Sequence, residues 1–273
     1  MYIGTDHINL CIIGKPNSGK STLFNTLLGS YLSPVGEEYG LTKSLYKKNF
    51  RFKNYNFTII DTPGLRRRSK VEDKSEISRN AEVIKLLNKV EVIILLIDSI
   101  EFMTKQDFKL ADLAINNNKI VFFLFNKIDM VDDKKTYKSK TLKYFKNNYS
   151  QFRSINVDFI SAKKNLNINK TLNAIIKKII LLHVELKKEG LKKFVTYLIK
   201  KGKLPKIKNI EIKPKYIVQT KGSVPTFKVF INTHKKAPKL FIKYFDNSFR
   251  HYFKLDGIPI VYYVRSSKNP YIN

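Results

Sequence analysis

Gly14-Lys15-Pro16-Asn17-Ser18-Gly19-Lys20-Ser21 has the spacing G-x-x-x-x-G-K-S/T, with Thr22 directly after it. Glycines at those two places let the backbone curl, so that several N–H groups and the positive end of the following helix converge on one polyphosphate. The Lys20 ammonium can then reach β and γ oxygens, and the Ser21 hydroxyl is a ligand for Mg²⁺. A Gly-rich turn is often only a turn. Here it follows the apolar run Ile8 to Ile13 and precedes a helical pattern, the strand-loop-helix context the motif requires. The eight residues imply a nucleoside-triphosphate site.

Two more groups of polar residues end apolar runs. Asp61-Thr62-Pro63-Gly64 closes Phe57 to Ile60, where a carboxylate can hold Mg²⁺ through a water and the Gly64 amide can approach a γ-phosphate because no Cβ blocks it. Asn126-Lys127-Ile128-Asp129 closes Ile120 to Phe125, and Ser161-Ala162-Lys163 follows Val157 to Ile160. The last two resemble the guanine-reading boxes of GTPases, in which the Asp carboxylate accepts from guanine N1–H and the exocyclic amine. Adenine offers neither donor there, so the expected base is guanine and the expected ligands are GTP, GDP and Mg²⁺. Singly each string could be a solvated turn; in this order, each at a strand end, chance explains them poorly.

Those boxes need a frame. The runs Ile8 to Ile13, Phe57 to Ile60, Val92 to Ile97, Ile120 to Phe125 and Val157 to Ile160 read as short strands buried on both faces. Helical patterns lie between them: Leu23, Phe24, Leu27 and Leu28, with Gly29 as a candidate cap; Leu110, Leu113 and Ala114; Leu172, Ile175, Ile176, Ile179 and Ile180. Alternation of this kind predicts an α/β fold, a doubly wound, mostly parallel sheet with ligand loops at the carboxyl ends of its strands. From about Leu186 the pattern changes to a helix (Leu191, Phe194, Val195, Leu198, Ile199), strands over Tyr216 to Thr220 and Thr226 to Ile231, a helix from Leu240 to Phe253, and a strand over Ile258 to Val264. This predicts a GTPase-type domain over 1–185 and a smaller α+β module over 186–273. In its second helix Phe241, Tyr244, Phe245, Phe249, Tyr252 and Phe253 share one face, which reads as core before it reads as a base-stacking surface.

Composition sets the remaining bounds. In 273 residues, 43% are apolar, enough for real cores, and nothing reads as disordered. No run approaches the roughly 18 apolar residues of a membrane span, and the expected location is the cytoplasm. Cys11, the one cysteine, lies in the first strand and is expected to be buried and inert. The net charge is +30, and residues 186–273 hold 21 lysines and arginines against 4 carboxylates, a net of +17. Such a bias points to a polyanion partner.

The chain resembles the latter part of the Der (EngA) ribosome-assembly GTPases: their second GTPase domain and their C-terminal KH-like domain. The phosphate loop, Asp61-Thr62-Pro63-Gly64-Leu65-Arg66-Arg67-Arg68 and Thr104-Lys105-Gln106-Asp107 carry the likeness in the first part. Gln219, Pro225-Thr226-Phe227, Phe230-Ile231-Asn232, Tyr244-Phe245-Asp246-Asn247 and Gly257-Ile258-Pro259-Ile260 carry it in the second. The second set separates Der from Era, whose KH domain has a G-x-x-G loop absent here. The family carries a further N-terminal GTPase domain, so the chain is either a piece of a longer protein or the product of a reduced gene.

The resemblance implies a P-loop fold followed by a KH-like domain, GTP hydrolysis, and the large ribosomal subunit and its rRNA as partners, with no membrane or DNA partner and a monomeric state. It assigns Thr42, within Gly40-Leu41-Thr42-Lys43-Ser44, to Mg²⁺ alongside Ser21 and Asp61, and Gly64 to sensing the γ-phosphate. Asn17 matches the position that holds K⁺ in related GTPases. Leu65 stands where Ras-like enzymes place a water-orienting Gln, which implies slow intrinsic hydrolysis. The alternative is a GTPase-regulated protein-interaction module that binds no RNA itself.

Overall fold

The structure, a computed structural model, describes residues 6–31, 46–61, 84–148, 155–202, 204–207, 210–233 and 237–266. The chain divides into two compact units, Met1–Ile179 and Ile180–Asn273. The division falls late in a helix, ahead of Leu186.

In the first unit, β1 (His7–Ile13), β2 (Tyr46–Phe52), β3 (Tyr55–Asp61), β4 (Val92–Asp98), β5 (Ile120–Asn126) and β6 (Asn156–Phe159) form a six-stranded sheet in the order β2-β3-β1-β4-β5-β6. All pairings are parallel except β2 with β3, which run antiparallel. All seven positions of β4 and of β5 are buried, the signature of strands covered on both faces. β2 is absent from the expected strands because it is no continuous apolar run. Its Phe50 and Phe52 alternate with polar residues and turn inward, where Phe50 stacks on Phe57 at 4.9 Å.

Among the described residues, the longer helices of the first unit are α1 (Lys20–Tyr31), α2 (Lys105–Asn116), α3 (Lys134–Asn148) and α4 (Ile168–Leu182). Gly29 does not cap α1: the helix continues through it to Tyr31, and a side chain there would meet open space. α2 begins at a box in which the Asp107 carboxylate accepts from the Thr104 amide and hydroxyl, both at 2.8 Å. Its innermost stripe is Phe108, Ala111 and Ala114, with Leu110 and Leu113 only partly buried, because small side chains let the helix approach the sheet. α3 escapes the apolar pattern since lysine dominates it; Tyr137, Thr141, Tyr144 and Phe145 nonetheless line one face, and Phe145 meets Phe123 edge-on at 5.1 Å. In α4 Leu172, Ile175, Ile176 and Ile179 are buried, whereas Ile180 is exposed.

The second unit holds α5 (Lys188–Lys201), the short pair β7 (Lys206–Ile207) and β8 (Ile210–Glu211), then β9 (Pro214–Thr220), β10 (Thr226–Ile231), α6 (Lys239–Phe253) and β11 (Val261–Ser266). Its three-stranded sheet has the order β11-β10-β9, with β9 antiparallel and β11 parallel to β10. The aromatic face of α6 is core: Phe241, Phe245 and Phe249 are buried, and Phe194 of α5 meets Phe249 at 5.1 Å and 85°. Tyr252, at the margin of that face, is partly exposed.

β11 starts later than the run from Ile258 suggests. Pro259 has no N–H to give a ladder, and the Ile258 carbonyl accepts from Arg250 Nη1 at 2.6 Å, which fixes the turn after Gly257. Arg250 is itself held by Asp246 at 2.7 Å. Other residues of the family strings are staples too. Gln219 accepts from the Leu186 amide at 2.8 Å and donates to the Val184 carbonyl at 2.7 Å; Asn232 accepts from the Lys213 amide at 2.8 Å and donates to the Glu211 carbonyl at 2.9 Å.

Phe249 is fully buried against rings from both helices and two strands. Phe249→Ala is therefore expected to destabilise the second unit by about 3–5 kcal/mol. Denaturant unfolding followed by tyrosine fluorescence checks this; a loss under about 1 kcal/mol contradicts this packing.

Candidate nucleotide-binding site

Every sequence-marked group in the described residues lies at the carboxyl end of a parallel strand. Gly14 to Gly19 form the loop between β1 and α1, and Lys20, Ser21 and Thr22 open α1. Asp61 ends β3, Asn126 ends β5, and Ser161-Ala162-Lys163 follows β6. Thr42, Thr62, Pro63 and Gly64 lie outside the described residues, as do Leu65 and Arg66 to Arg68.

The loop has the shape a phosphate requires. Gly14 has φ +154 and Gly19 φ +94, conformations that L side chains rarely adopt. A Cβ on Gly14 would overlap the Leu96 carbonyl oxygen, and one on Gly19 would overlap the Asn126 amide. Ser18 is buried and donates through its hydroxyl to the Lys15 carbonyl at 3.0 Å. Pro16 and Asn17 form the exposed tip, with Asn17 at φ 62. The Lys20 ammonium donates to the carbonyls of Gly14, at 2.8 Å, and of Lys15, so its charge is folded over the loop. Backbone donors, a helix N-terminus and a lysine at one concavity fit a polyphosphate.

Asn126 ties this loop to the loop that follows β6. Its side chain is buried; Nδ2 donates to the Ser18 carbonyl at 2.9 Å, and Oδ1 accepts from the Ala162 amide at 2.9 Å. One amide thus spans loops that follow β1, β5 and β6. Thr26 of α1 adds a second link, its hydroxyl donating to the Ala162 carbonyl at 2.9 Å.

Lys127 follows with a left-handed backbone, φ 62, and Ile128–Met130 form a short 3₁₀ turn carrying Asp129. The Ile128 amide donates to the Ile160 carbonyl at 3.1 Å, setting the turn against the end of β6. The Asp129 carboxyl is held below its ordinary range, first by a hydrogen bond from Ser161, with Lys164 and Lys134 adding to this and burial opposing it. At neutral pH it is an ionised acceptor, the state needed to receive two base donors. Lys164 stands 3.8 Å from it.

Sequence reasoning missed Asp98. It ends β4 opposite Asn126 in the sheet register, is buried, accepts from the Ile100 amide at 2.9 Å, and pairs with Lys127 Nζ at 2.5 Å. A carboxylate directly after the run Val92 to Ile97 was the available signal. Thr26, inside a helix, gave none. A hydroxyl on Ser21 and a carboxylate residue at the end of β3 suit a Mg²⁺ that would be bound mainly through phosphate oxygens and water. Among the described residues no group of three or more His, Cys, Asp or Glu is placed to hold a metal by itself. Nor, among them, is any helix long and apolar enough to cross a membrane.

The family described as "50S ribosome-binding GTPase" matches residues 9–127, and the "KH-domain-like of EngA bacterial GTPase enzymes, C-terminal" matches residues 185–265. GTPase Der of Hyphomonas neptunium is 31% identical over 264 residues, 97% of this chain and 52% of that protein. GTPase Der of Rickettsia peacockii is 29% identical over 270 residues, 98% of this chain and 60% of that protein. The chain thus spans between half and two-thirds of the length of these relatives. Among solved structures, Era in complex with MgGDPNP and nucleotides 1506-1542 of 16S ribosomal RNA is similar with a TM-score of 0.49 and 21% identity, over 97% of this chain and 95% of that one. The two family matches, joined by relatives aligned over nearly all of the chain, place it in the Der/EngA family of GTPases, as a GTPase domain followed by the family's C-terminal KH-like domain.

Proposed function

We propose that the chain binds and hydrolyses GTP and uses the state of its nucleotide to set its binding to the large ribosomal subunit through rRNA. The observation that carries the nucleotide half is the Asn126 bridge, which holds the phosphate loop and the base-reading loops in one unit with an ionised Asp129 beside Ser161. The charge of residues 186–273 carries the RNA half.

In this account the protein positions and neutralises. The phosphate-loop amides receive β-phosphate oxygens, Lys20 moves its ammonium from the loop carbonyls to β and γ oxygens, and Asp129 fixes guanine. Ser21, Thr42 and Asp61 would hold Mg²⁺, directly or through water, and Gly64 would offer its amide to the γ-phosphate. Mg²⁺, when bound, neutralises charge on the phosphate oxygens. With Leu65 at the position of a water-orienting Gln, intrinsic turnover is slow. The proposed domain limits are 1–185 and 186–273.

Asn17 is proposed as a K⁺ ligand at the tip of the phosphate loop, where its exposed side chain and left-handed backbone leave its oxygen free to turn toward the phosphates. Hydrolysis by the full chain is then expected to run several-fold faster in KCl than in NaCl at equal ionic strength, with Asn17→Ala removing the difference. Equal rates of the parent in the two salts contradict the assignment.

The partner is tested by binding of the full chain, loaded with a GTP analogue or with GDP, to large ribosomal subunits and their rRNA across a salt series. We expect state-dependent binding whose log–log salt slope changes by roughly 0.7–0.9 per phosphate contact. Charge reversal at Lys213, Lys215 and Lys221 is expected to flatten it; Lys213 contributes least, because it already faces Glu211 at 3.5 Å. A flat salt response, or no binding in either state, favours the protein-interaction module.

A further inference from the structure

The three-stranded sheet of the second unit buries one face and opens the other. Ile217, Phe227, Val229 and Ile231 turn inward to the helices. The opposite positions pair in register as two rows: Val218, Lys228 and Tyr263, then Tyr216, Phe230 and Arg265. An open sheet face ordinarily carries short polar residues. Here Tyr216, Val218 and Tyr263 are 48%, 44% and 49% exposed, and the Tyr216 and Phe230 rings stack with centroids 4.2 Å apart at 16°. β9, β10 and β11 contain no Asp or Glu, while Lys215, Lys228 and Arg265 supply cations.

A cross-strand aromatic pair supports a sheet by itself, which accounts for Tyr216 with Phe230. It does not account for Tyr263, which lies in the other row beside Lys228, nor for cations alternating with rings on a face without carboxylates. Exposed π-faces interleaved with Lys and Arg are what unpaired nucleotides engage: bases stack on the rings, and the cations track the phosphates. A duplex keeps its bases stacked inside and cannot use the rings.

We propose that the open face of β9–β10–β11 is a stacking platform for unpaired RNA bases, with Tyr263 and the Tyr216–Phe230 pair as its two stacking points and Lys228 and Arg265 as its phosphate contacts. The proposal rests on the rRNA-binding reading and adds to it the single-stranded form of the ligand and the residues that receive it.

The test uses the full chain and three probes at equal salt: an unstructured RNA of about 12 nucleotides, the matching duplex, and an abasic strand of the same length. Tyr216→Leu and Tyr263→Leu keep apolar area but lose the ring, whereas Tyr216→Phe and Tyr263→Phe keep it; denaturant midpoints verify that each variant is folded. The parent is expected to bind the unpaired strand at least about tenfold tighter than duplex or abasic strand, each Leu variant to lose about fivefold to 100-fold, and each Phe variant to stay within about twofold. On the abasic strand all variants are expected to match the parent. Leu variants that bind like the parent, or an abasic strand bound as tightly as the natural one, overturn the platform while leaving phosphate-driven rRNA binding in place. No binding of any RNA by the parent overturns both. Leu variants that abolish self-association of the chain and leave RNA affinity unchanged assign the face to a second copy, which also overturns the platform.

Discussion

Asn126→Ala is expected to weaken GTP and GDP binding by on the order of 100-fold, equivalent to about 2.7 kcal/mol. The side chain is buried and its two hydrogen bonds, each 2.9 Å, end on main-chain groups of separate loops. Removing it leaves the Ser18 carbonyl and the Ala162 amide without their partner, at about 1–3 kcal/mol for each buried group. Part of that loss appears as reduced stability, and part as loops that must be re-ordered by nucleotide. Asn126→Asp sharpens the result. The carboxylate still accepts from Ala162, but it cannot donate to Ser18 and brings negative charge toward the phosphate loop. Its affinity is expected to be as low as that of the Ala variant or lower, although half of the geometry is kept. Isothermal titration of purified variants with GDP, alongside denaturant unfolding, separates the two effects. Affinity within about threefold of the parent for both variants contradicts a bridging role.

Much of the frame is readable in the sequence because strands buried on both faces leave continuous apolar runs, and β1, β4 and β5 are such strands. β2 and α3 are not, since each buries only one side and fills the other with lysine and other polar residues. The phosphate loop is legible for a different reason: two glycines are required by backbone geometry, so their spacing is fixed by sterics. Asp129 is legible for what its carboxylate offers a base and Ser161 as part of a box at a strand end, and the structure adds that the two meet one another. Asp98 and Thr26 were not legible as site residues, because each acts across a sequence separation that only the sheet closes: Asp98 with Lys127, and Thr26 with Ala162. In the second unit, Gln219, Asn232 and Asp246 read as family markers, and the structure gives their physical reason as main-chain and side-chain staples. The aromatic face of α6 is core, and the exposed rings lie on the sheet, where period-two alternation hides them among buried neighbours.

The central claim is that this chain holds a guanine nucleotide through the carboxylate of Asp129. That carboxylate is kept ionised by Ser161 and the nearby lysines, so it can accept from N1–H and from the exocyclic amine together. Each such charge-assisted bond is worth about 1.5–3 kcal/mol, and losing both lowers affinity by more than about 100-fold. An asparagine presents one acceptor and one amine, which suits the carbonyl that xanthine carries in place of the guanine amine. The decisive measurement is therefore a competition titration of parent and Asp129→Asn with GTP, XTP and ATP against a fluorescent nucleotide. The account predicts a parent that selects GTP and a variant that selects XTP, with ATP weak in both. Equal GTP affinity in parent and variant, or displacement by ATP as effective as by GTP, would contradict it.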